Sequence, residues 1–566
     1  MCALATFGIL ASVIAPEPLA AGIGTGPVSW SIGGNIGNCG SLKIAGPDIV
    51  FSSKEEAIEF ARKVLNSNGC GAGAPIYPAD PWGGWVGFAD YSGAVLVGPL
   101  CSAGDPQVLL NRETGICEFS NTLSYDKSAG CPTGGQSCVR ANPINLGIQN
   151  KLVQAIDYVG AGPFPLRLTR AYNSRVTRVG TLGAKWVHGY ERWLVSLAHT
   201  PNVVSLYRPD GRALTFRSAD GRNYAGDADT PDRVVATRDA GGVVTGWEVS
   251  IATGDETERY NARGRLIALA NRQGLTQTFA YSDGSAAPPN GATAEGGAAA
   301  LPAGLLLSAT DPFGRSVRFF YDASYRVARI VLPDGGEIRY GYDATGEPAG
   351  LLTTVIYQDA RTLRYVYDEP ALTTNRVKPT LLTGVIDENG ERFADYGYDE
   401  YNRANLSAHR ANGERVLVYS YVNNTGYQGG NVVESDPLGS SRTVQIAALN
   451  GVAVTPTISG AACPSCGPAN RSFDGNGFLA SETNWNGVPT TFARTDPGGR
   501  KDLETRRVEA SGTAQARTIS TDWHATFRLP ARVAEPLRIT TDSYDANGNL
   551  LARSVQATSD ATGAAG

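Results

Sequence analysis

Six short segments in the middle of the chain share one pattern: side chains that are mostly large and apolar or aromatic occupy alternate positions, and each segment ends in tyrosine. Alternate side chains of a β-strand point to the same face, so this pattern predicts six half-buried strands. Turn residues at 333–336 and 388–390 separate such segments, which predicts strand–turn–strand units. The six segments are 275–281, 317–321, 338–342, 363–367, 394–398 and 417–421.

A single hairpin of this kind is too small to be stable alone. Burying one large apolar side chain contributes roughly 1.5 to 3 kcal/mol, whereas ordering the backbone costs roughly 1 to 2 kcal/mol per residue. Successive hairpins must therefore join into one sheet to bury their aromatic faces. The predicted fold class is mainly β, a repeat array of antiparallel hairpins, preceded by a small cysteine-rich α+β unit.

An aspartate follows the closing tyrosine in several units. At a strand end this carboxylate is predicted to accept hydrogen bonds from turn amides, while the tyrosine packs inward and keeps its hydroxyl at the solvent-exposed rim. The alternative is a ladder of aspartates that binds cations or sugars. The residues that define the repeat are Tyr321, Asp322, Tyr342, Asp343, Tyr367, Asp368, Tyr398, Asp399, Tyr544 and Asp545.

These Tyr-Asp units resemble the YD repeat of the rearrangement-hotspot (Rhs) family, with the best matches in YGYDATG, YVYDEP, YGYDEYNR, ERYNARGRL and SYDANGNL. A second segment, residues 141–194, resembles the domain that precedes the repeats in many Rhs proteins. Its matching residues are Asn142-Pro143-Ile144-Asn145, Asp157-Tyr158, Gly162-Pro163, Arg170-Ala171-Tyr172-Asn173-Ser174, and Gly183 through Trp186, His188 and Tyr190.

The resemblance implies a β-sheet that spirals into a shell, so a partial Rhs-like β-shell is expected. It also implies an exported bacterial protein that encloses a toxin in competition between cells. Asp-Pro-x-Gly sequences at 311–314 and 436–439 are similar to the family's self-cleavage boundary, but they lie inside the repeats and are interpreted as turns. No compact toxin follows the repeats, so a shell segment without cargo is expected.

The sequence divides into five parts. Residues 1–22 form an apolar run followed by proline and small residues, which predicts a signal peptide although no basic residue precedes Lys43. Residues 23–140 are a cysteine-rich unit with one amphipathic helix predicted near 53–69. The remaining parts are an Rhs-type N-terminal domain (141–215), a YD-repeat hairpin array (216–555) and a disordered tail (556–566).

Eight cysteines remain once a leader is removed, and an even number in an exported chain favours disulfides. The alternative is a zinc site, but the six early cysteines lack the close pairs that structural zinc needs. The pair in CPSCG predicts a local disulfide, with a redox pair or half of a zinc site as alternatives. The candidates are Cys39, Cys70, Cys101, Cys117, Cys131, Cys138, Cys463 and Cys466.

The sequence carries no recognisable catalytic motif, so no enzymatic activity, cofactor or metal is predicted. Gly-x-Ser-x-Gly, phosphate-binding, dinucleotide-binding and His-Glu-x-x-His patterns are all absent. DGNG and DANGN lack the glycine and glutamate of an EF-hand and are interpreted as hairpin turns. His188 is interpreted as structural, with a hydrolase as the alternative. The four histidines are His188, His199, His409 and His524.

The net charge of −5 is spread over 49 basic and 54 acidic side chains without a basic run, which argues against nucleic-acid binding. Apart from the leader, no segment approaches the ~18 apolar residues of a membrane span. The predicted protein is therefore secreted or at the cell surface, a scaffold or container for a toxin domain or downstream polypeptide. The alternative is a module that binds surface carbohydrate through its tyrosine-rich sheet.

Overall fold

A computed structural model describes most of the chain from residue 139 onward and short pieces before it. Helix α1 spans Tyr125–Ser128, and 3-10 turns span Ala252–Gly254 and Pro370–Leu372. The helix predicted near 53–69 and most of the cysteine-rich unit lie outside the described residues. The described residues are 29–33, 75–76, 84–88, 94–100, 108–111, 116–119, 125–130, 139–140, 143–176, 179–196, 202–285, 301–343, 350–410, 415–422, 429–463 and 467–564.

Among the described residues before 120 there are six strands. Four of them form an antiparallel sheet in the order β1-β4-β3-β2, and β5 pairs with β6. Their bounds are β1 Ser29–Gly33, β2 Pro75–Ile76, β3 Gly84–Phe88, β4 Ala94–Leu100, β5 Val108–Asn111 and β6 Ile116–Phe119.

Residues 139–192 form a small unit that we call the inner domain. It contains a five-stranded sheet in the order β13-β10-β9-β8-β7 and the hairpin β11-β12. The strands are β7 Val139–Arg140, β8 Ile144–Asn145, β9 Asn150–Val159, β10 Arg167–Asn173, β11 Val179–Gly180, β12 Gly183–Ala184 and β13 Trp186–His188.

The next 23 strands form one antiparallel sheet, the long sheet, in which sequence neighbours are also spatial neighbours. The prediction of a mainly β hairpin array is confirmed. The strands are β14 Trp193–Ser196, β15 Val203–Tyr207, β16 Ala213–Arg217, β17 Asn223–Ala225, β18 Arg233–Arg238, β19 Val244–Ile251, β20 Glu256–Asn261, β21 Leu266–Ala270, β22 Thr276–Tyr281, β23 Leu306–Thr310, β24 Ser316–Tyr321, β25 Val327–Val331, β26 Glu337–Asp343, β27 Leu351–Ile356, β28 Thr362–Tyr367, β29 Leu382–Ile386, β30 Arg392–Tyr398, β31 Ala404–His409, β32 Arg415–Val422, β33 Gly430–Ser435, β34 Ser441–Leu449, β35 Val452–Val454 and β36 Ile458–Gly460.

Eight further strands form the short sheet, again in sequence order. An isolated β-bridge pairs Thr457 of the long-sheet end with Asn470 of the short sheet. Beside it the Ile458 amide donates to the Ala469 carbonyl at 2.7 Å. Residues after 557, predicted to be disordered, instead run back across the short sheet, where the Thr518 amide donates to the Thr562 carbonyl. The strands are β37 Asn470–Phe473, β38 Leu479–Thr483, β39 Pro489–Ala493, β40 Arg506–Glu509, β41 Arg517–Trp523, β42 Pro530–Glu535, β43 Arg538–Tyr544 and β44 Leu550–Ala557.

The hairpin turns of the long sheet alternate between two rims. We call the rim that carries the turns after the closing tyrosines, such as 322–326 and 399–403, the tyrosine rim. The opposite rim, with turns such as 311–315 and 387–391, is the far rim. At the tyrosine rim the pairing register shifts immediately before Tyr321 and before Tyr342. A β-bulge of this kind bends a strand and increases its twist, so its repetition curves the sheet.

The long sheet curves around the inner domain. The Tyr190 ring lies 5.1 Å from the Phe279 ring on β22, and the Lys151 ammonium lies 3.7 Å from the Tyr396 ring on β30. In a flat sheet β22 and β30 would lie roughly 40 Å apart. This distance exceeds the width of the paired strands β9 and β10 of the inner domain, so the inner domain can contact both β22 and β30 only if the sheet curves. Buried residues of the inner domain and of the long sheet accordingly form one continuous hydrophobic core.

The sheet also rises as it curves, so the short sheet rests on the far rim of the long sheet. Gln273 Nε2 donates to Asn549 Oδ1 at 2.5 Å, and the Arg528 amide donates to Asp255 Oδ2 at 3.2 Å. Each of these two hydrogen bonds joins a turn on the far rim of the long sheet to a turn of the short sheet. The architecture is therefore a spiral, as expected for a partial β-shell.

Candidate functional site: the contact between the inner domain and the long sheet

A buried ion pair lies at the centre of the contact. Arg170 Nε donates to both carboxylate oxygens of Asp157, at 3.0 and 2.9 Å, and the two side chains are almost completely buried. Both residues belong to the inner domain, on β10 and β9. A buried pair is stable only when further hydrogen bonds satisfy its remaining donors and acceptors.

Tyrosines of the long sheet supply these hydrogen bonds. Tyr340 donates its hydroxyl to Asp157 Oδ2 at 2.9 Å, and Arg170 Nη2 donates to the Tyr357 hydroxyl at 3.0 Å. Arg170 Nη1 donates to the Tyr365 hydroxyl. The ion pair therefore fixes the inner domain to β26, to β28 and to the turn before β28.

The protonation states match this arrangement. Burial would lower the pKa of Arg170, but Asp157 and the surrounding tyrosine hydroxyls outweigh burial and raise it well above its usual value. Burial, reinforced by the Asp157 charge, raises the pKa of Tyr340. Arg170 is thus charged and Tyr340 is neutral, and each is in the form that its hydrogen bonds require.

A second group of aromatic residues lies beside the ion pair. Trp186 packs its ring 4.6 Å from the Tyr365 ring and donates its indole N–H to the Tyr367 hydroxyl at 2.8 Å. Tyr172 donates its hydroxyl to the Thr380 carbonyl at 2.8 Å and accepts from the Leu382 amide at 3.0 Å. Each buried polar tip has a partner, so this core specifies one orientation of the inner domain.

Backbone hydrogen bonds connect the inner domain to the tyrosine rim. The Val327 amide donates to the Thr181 carbonyl at 2.8 Å, the Ala184 amide donates to the Gly350 carbonyl at 3.0 Å, and the Ala404 amide donates to the Gln149 carbonyl at 3.1 Å. Residues 327, 350 and 404 lie at the tyrosine-rim starts of three different strands. The inner domain therefore covers this rim.

A second ionic cluster joins the start of the long sheet to the inner domain. Glu258 accepts from Arg208 Nη1 at 2.7 Å, from the Tyr260 hydroxyl at 2.7 Å and from Arg192. Burial would raise the pKa of Glu258, but the two guanidinium groups and the Tyr260 hydroxyl lower it to about 2. Glu258 is therefore ionised over the whole physiological range.

The closing tyrosines have a different role from the one predicted. The Tyr321 hydroxyl donates to the Leu306 carbonyl at 2.7 Å, and the Tyr398 hydroxyl donates to the Leu382 carbonyl at 2.8 Å. Both side chains are fully buried, so the expectation of a solvent-exposed hydroxyl is wrong. The reason is that the first carbonyls of the preceding strand lack a ladder partner there and need a donor. Tyr342, Tyr367 and Tyr544 make the same kind of bond.

The aspartates after these tyrosines bind turn amides, with one departure. Asp322 Oδ1 accepts from the amides of Ser324 and Arg326, both at 2.9 Å, and Asp399 and Asp545 bind the equivalent amides. Asp368 instead accepts from the Lys378 amide, because a longer turn follows it. Asp343 ends β26, and the residues after it lie outside the described chain.

The Asp-Pro-x-Gly sequences and DGNG form the same turn. Asp311 Oδ1 accepts from Phe313 and Arg315 amides, and Asp474 Oδ1 accepts from Asn476 and Phe478 amides. Their carboxylates are therefore already used in hairpin turns. Among the described residues, no group of three or more His, Cys, Asp or Glu side chains is placed to hold a metal ion.

His188 is buried beside the long sheet. Its Nδ1 accepts from the Tyr190 amide at 3.2 Å, and its ring lies 5.2 Å from the Phe319 ring. Burial lowers the pKa of His188 more than nearby Glu191 raises it, so the ring is neutral. His409 and His524 pack on Phe393 and Phe527, whereas His199 lies outside the described residues.

The disulfide predictions fall largely outside the described part of the chain. Cys463 is disulfide-bonded. Residue 466 lies outside the described residues, so the Cys463–Cys466 disulfide stays a prediction. Cys101, Cys131 and Cys138 lie outside the description, as do Cys39 and Cys70. Cys117 lies on β6, of which only the backbone is described.

The comparisons with known proteins fall on the two regions that carry this contact. Residues 141–216 match a family model described as a domain of unknown function, DUF6531, and residues 302–337 match the RHS repeat. No curated protein matches the sequence. The first match contains Asp157 and Arg170, and the second contains Tyr321 and Asp322.

Solved structures similar to the chain include a complex titled TcdB2-TccC3-Cdc42, with 12% identity, 74% of this chain and 27% of that chain covered, and a TM-score of 0.29. A Tc holotoxin pore from Photorhabdus luminescens has 12% identity, covers 72% of this chain and 26% of its own, and has a TM-score of 0.20. The chain thus spans about a quarter of the length of these structures.

The N-terminal domain of the effector protein SpvB from Salmonella typhimurium strain LT2 is also similar, with 14% identity, 54% of this chain and 97% of that chain covered, and a TM-score of 0.20. The matched repeat lies within the observed antiparallel hairpin array and its tyrosine–aspartate turns. Residues 302–337 of this chain are thus an RHS repeat.

Proposed function

We propose that this chain is a non-enzymatic scaffold, exported from a bacterial cell, whose spiral wall holds a toxin or another protein partner in competition between cells. Its wall is the long sheet continued by the short sheet. The inner domain closes one end of that wall. The far rim is the end at which the wall continues.

The observation that carries this proposal is a difference in burial along the inner face of the wall, which is the face that the long sheet turns towards the inner domain. In the long sheet the inner domain covers this face, and Tyr340, Tyr365 and Tyr396 are buried against it. In the short sheet the residues of β38 and β39 are all partly exposed. The short sheet therefore offers a wall surface that a partner could cover.

The alternative of a carbohydrate-binding module is not favoured. Sugar binding by aromatic side chains needs exposed rings, but the tyrosines of the repeat strands are used in the core. Tyr321 and Tyr398 have fully buried hydroxyls that bond to backbone carbonyls.

Export rests on the sequence alone. The apolar segment at residues 1–22 and the even number of remaining cysteines support it. Among the described residues, no helix is long and apolar enough to cross a membrane.

Protection of a bound polypeptide from protease tests the proposal. The full chain is purified from its native bacterium without denaturant, co-purifying polypeptides are identified by mass spectrometry, and the complex is digested. A polypeptide that is protected by the unmodified chain but digested with the Arg170→Met variant supports a container. The surface substitution Arg532→Met is the control and should preserve protection. A polypeptide that is digested equally in all three samples, or a chain that binds only a specific glycan, contradicts the proposal.

A further inference from the structure

Residues 127–130, near the end of the cysteine-rich unit, lie outside both family matches, yet the first three of them are buried. Lys127 is 3% exposed, and Ser128 and Ala129 are 0% exposed. A lysine is rarely buried unless its ammonium is fully paired. The surroundings of these four residues, which we call the closure segment, therefore indicate a specific binding site.

The Lys127 ammonium has three acceptors. It donates to Asp227 Oδ2 at 2.8 Å, to Asp229 Oδ1 at 2.7 Å and to the Asn450 carbonyl at 2.7 Å. An ammonium has three N–H donors, so each donor has a partner. Arg217 Nη1 lies 3.3 Å from Asp227 Oδ1 and balances part of the second negative charge.

These acceptors come from distant parts of the long sheet. Asp227 and Asp229 lie in the loop between β17 and β18, whereas Asn450 lies in the turn between β34 and β35. In a flat sheet the two turns would be roughly 80 Å apart. The Lys127 ammonium therefore connects two successive windings of the spiral, which we call circuits. The loop between β17 and β18 belongs to the first circuit, and the turn between β34 and β35 belongs to the second.

The next residues of the closure segment contact both of these regions and, in addition, the inner domain. Ser128 Oγ donates to the Gly451 carbonyl at 3.3 Å and accepts from the Ala453 amide at 3.2 Å. The Ser128 carbonyl accepts from Asn145 Nδ2 of the inner domain at 2.7 Å. At Gly130 an added Cβ would lie only 2.5 Å from Asp210 Cγ, so the site has no space for a larger residue.

The first hairpin turn of the short sheet also contacts the partners of Lys127. Asn450 Nδ2 donates to the Asn476 carbonyl at 3.1 Å, in the first hairpin turn of the short sheet. A Cβ at Gly477 would lie 3.3 Å from Asp229 Cβ. The junction therefore contains the inner domain, both circuits of the wall and the closure segment within a few ångströms.

We propose that the closure segment is an intramolecular ligand that locks the second circuit of the spiral onto the first. Backbone pairing inside a sheet stabilises neighbouring strands but does not connect one circuit to the next. Other contacts between circuits, such as those of Gln273 with Asn549 and of the Arg528 amide with Asp255, are separate single hydrogen bonds, and each contributes little alone. Release of residues 127–130 would therefore open the spiral at this junction and leave its hairpins folded. This inference goes beyond the scaffold proposal and does not depend on a cargo.

Hydrogen exchange of the full chain, followed by mass spectrometry, tests the proposal. The variant Lys127→Met keeps the apolar stem and removes the ammonium. We expect amides in residues 226–232 and 450–454 to exchange at least tenfold faster, while residues 316–321 and 338–342 stay unchanged. Lys501→Met, at an exposed lysine of the short sheet, is the matched control and should change neither region.

Ser128→Ala provides an independent measurement, because it removes the bonds to Gly451 and Ala453 but keeps the Lys127 charge. Faster exchange confined to residues 450–454 is expected. The proposal is overturned if both variants leave residues 450–454 unchanged, or if residues 316–321 accelerate as much as the junction does. If Lys127→Met unfolds the whole chain, the Ser128→Ala result decides. Unchanged exchange of residues 450–454 in Ser128→Ala would then count against a local lock.

Discussion

The long sheet and the short sheet use the same hairpin but bury it differently. In the long sheet Tyr321 is fully buried and donates to the Leu306 carbonyl. In the short sheet Arg494 donates to the Leu479 carbonyl and Tyr544 donates to the Pro530 carbonyl, so the same strand-start bond persists. Yet every residue of β44 is exposed. The turn and the strand-start bond are therefore enough to build the sheet, whereas the core requires a separate domain.

The largest expected difference between the two sheets concerns their ion pairs. Arg170→Met leaves Asp157 charged and buried, which costs roughly 3–5 kcal/mol. Arg532→Met, in the short sheet, removes a partly exposed partner of Asp522 and should cost less than about 1 kcal/mol. Native-state hydrogen exchange measures both free energies of opening. Equal losses would show that the inner-domain contact does not stabilise the long sheet.

The Glu258 cluster predicts a pH dependence for the long sheet. Its folded pKa of about 2 lies below the ordinary value of 4.5, so the stabilisation is complete above pH 4.5 and is lost as the pH falls towards 2. The size of the effect is about 3 kcal/mol. Glu258→Gln should be less stable at neutral pH and should lose this acid dependence, as measured by denaturation at a series of pH values. If the stability of Glu258→Gln fell with acid pH as steeply as that of the unmodified chain, groups other than Glu258 would cause the acid dependence.

Removal of the hydroxyl of one closing tyrosine should destabilise the fold less than the loss of either ionic cluster. Tyr321→Phe leaves the Leu306 carbonyl without its donor in a buried site, which costs about 1–2 kcal/mol. Tyr544→Phe should cost less, because Tyr544 and Pro530 are both partly exposed and water can replace the lost donor. The opening free energies of the two strands from hydrogen exchange distinguish these cases. A larger loss in Tyr544→Phe would contradict the argument from burial.

The smallest effect should be the same in both sheets. Asp322→Ala and Asp474→Ala each remove an acceptor of two turn amides, and each should cost about 1 kcal/mol. Asparagine should be tolerated, since Asn484 Oδ1 already accepts from the equivalent amides of Asn486 and Val488. Thermal denaturation of the alanine and asparagine variants checks this. A strong effect in only one sheet would mean that the turns are not equivalent.

The sequence predicts the local parts of this architecture well. The alternating segment 317–321 lies within β24, and segment 338–342 lies within β26. The carboxylate of Asp322 binds turn amides because that bond depends on residues only two and four positions away. Such short-range geometry is encoded in the residue order itself.

The long-range contacts could not be predicted in this way. Arg170 meets Tyr357 and Tyr365 only after the sheet has curved around the inner domain. Nothing near Lys127 in the sequence indicates Asn450 as a partner, because the two residues meet only when the second circuit lies on the first. The buried hydroxyl of Tyr321 was missed because the unpaired carbonyl of Leu306 exists only in the assembled sheet.

The central claim is that the inner domain supplies the core that stabilises the long sheet, whereas the short sheet lacks such a core. Hydrogen exchange of the intact chain at increasing denaturant concentration tests it most directly. We expect amides of β38–β43 to open at a lower free energy than amides of β24–β30. In Arg170→Met the protection of β24–β30 should fall towards that of the short sheet. Equal protection of the two sheets in the unmodified chain would contradict the claim.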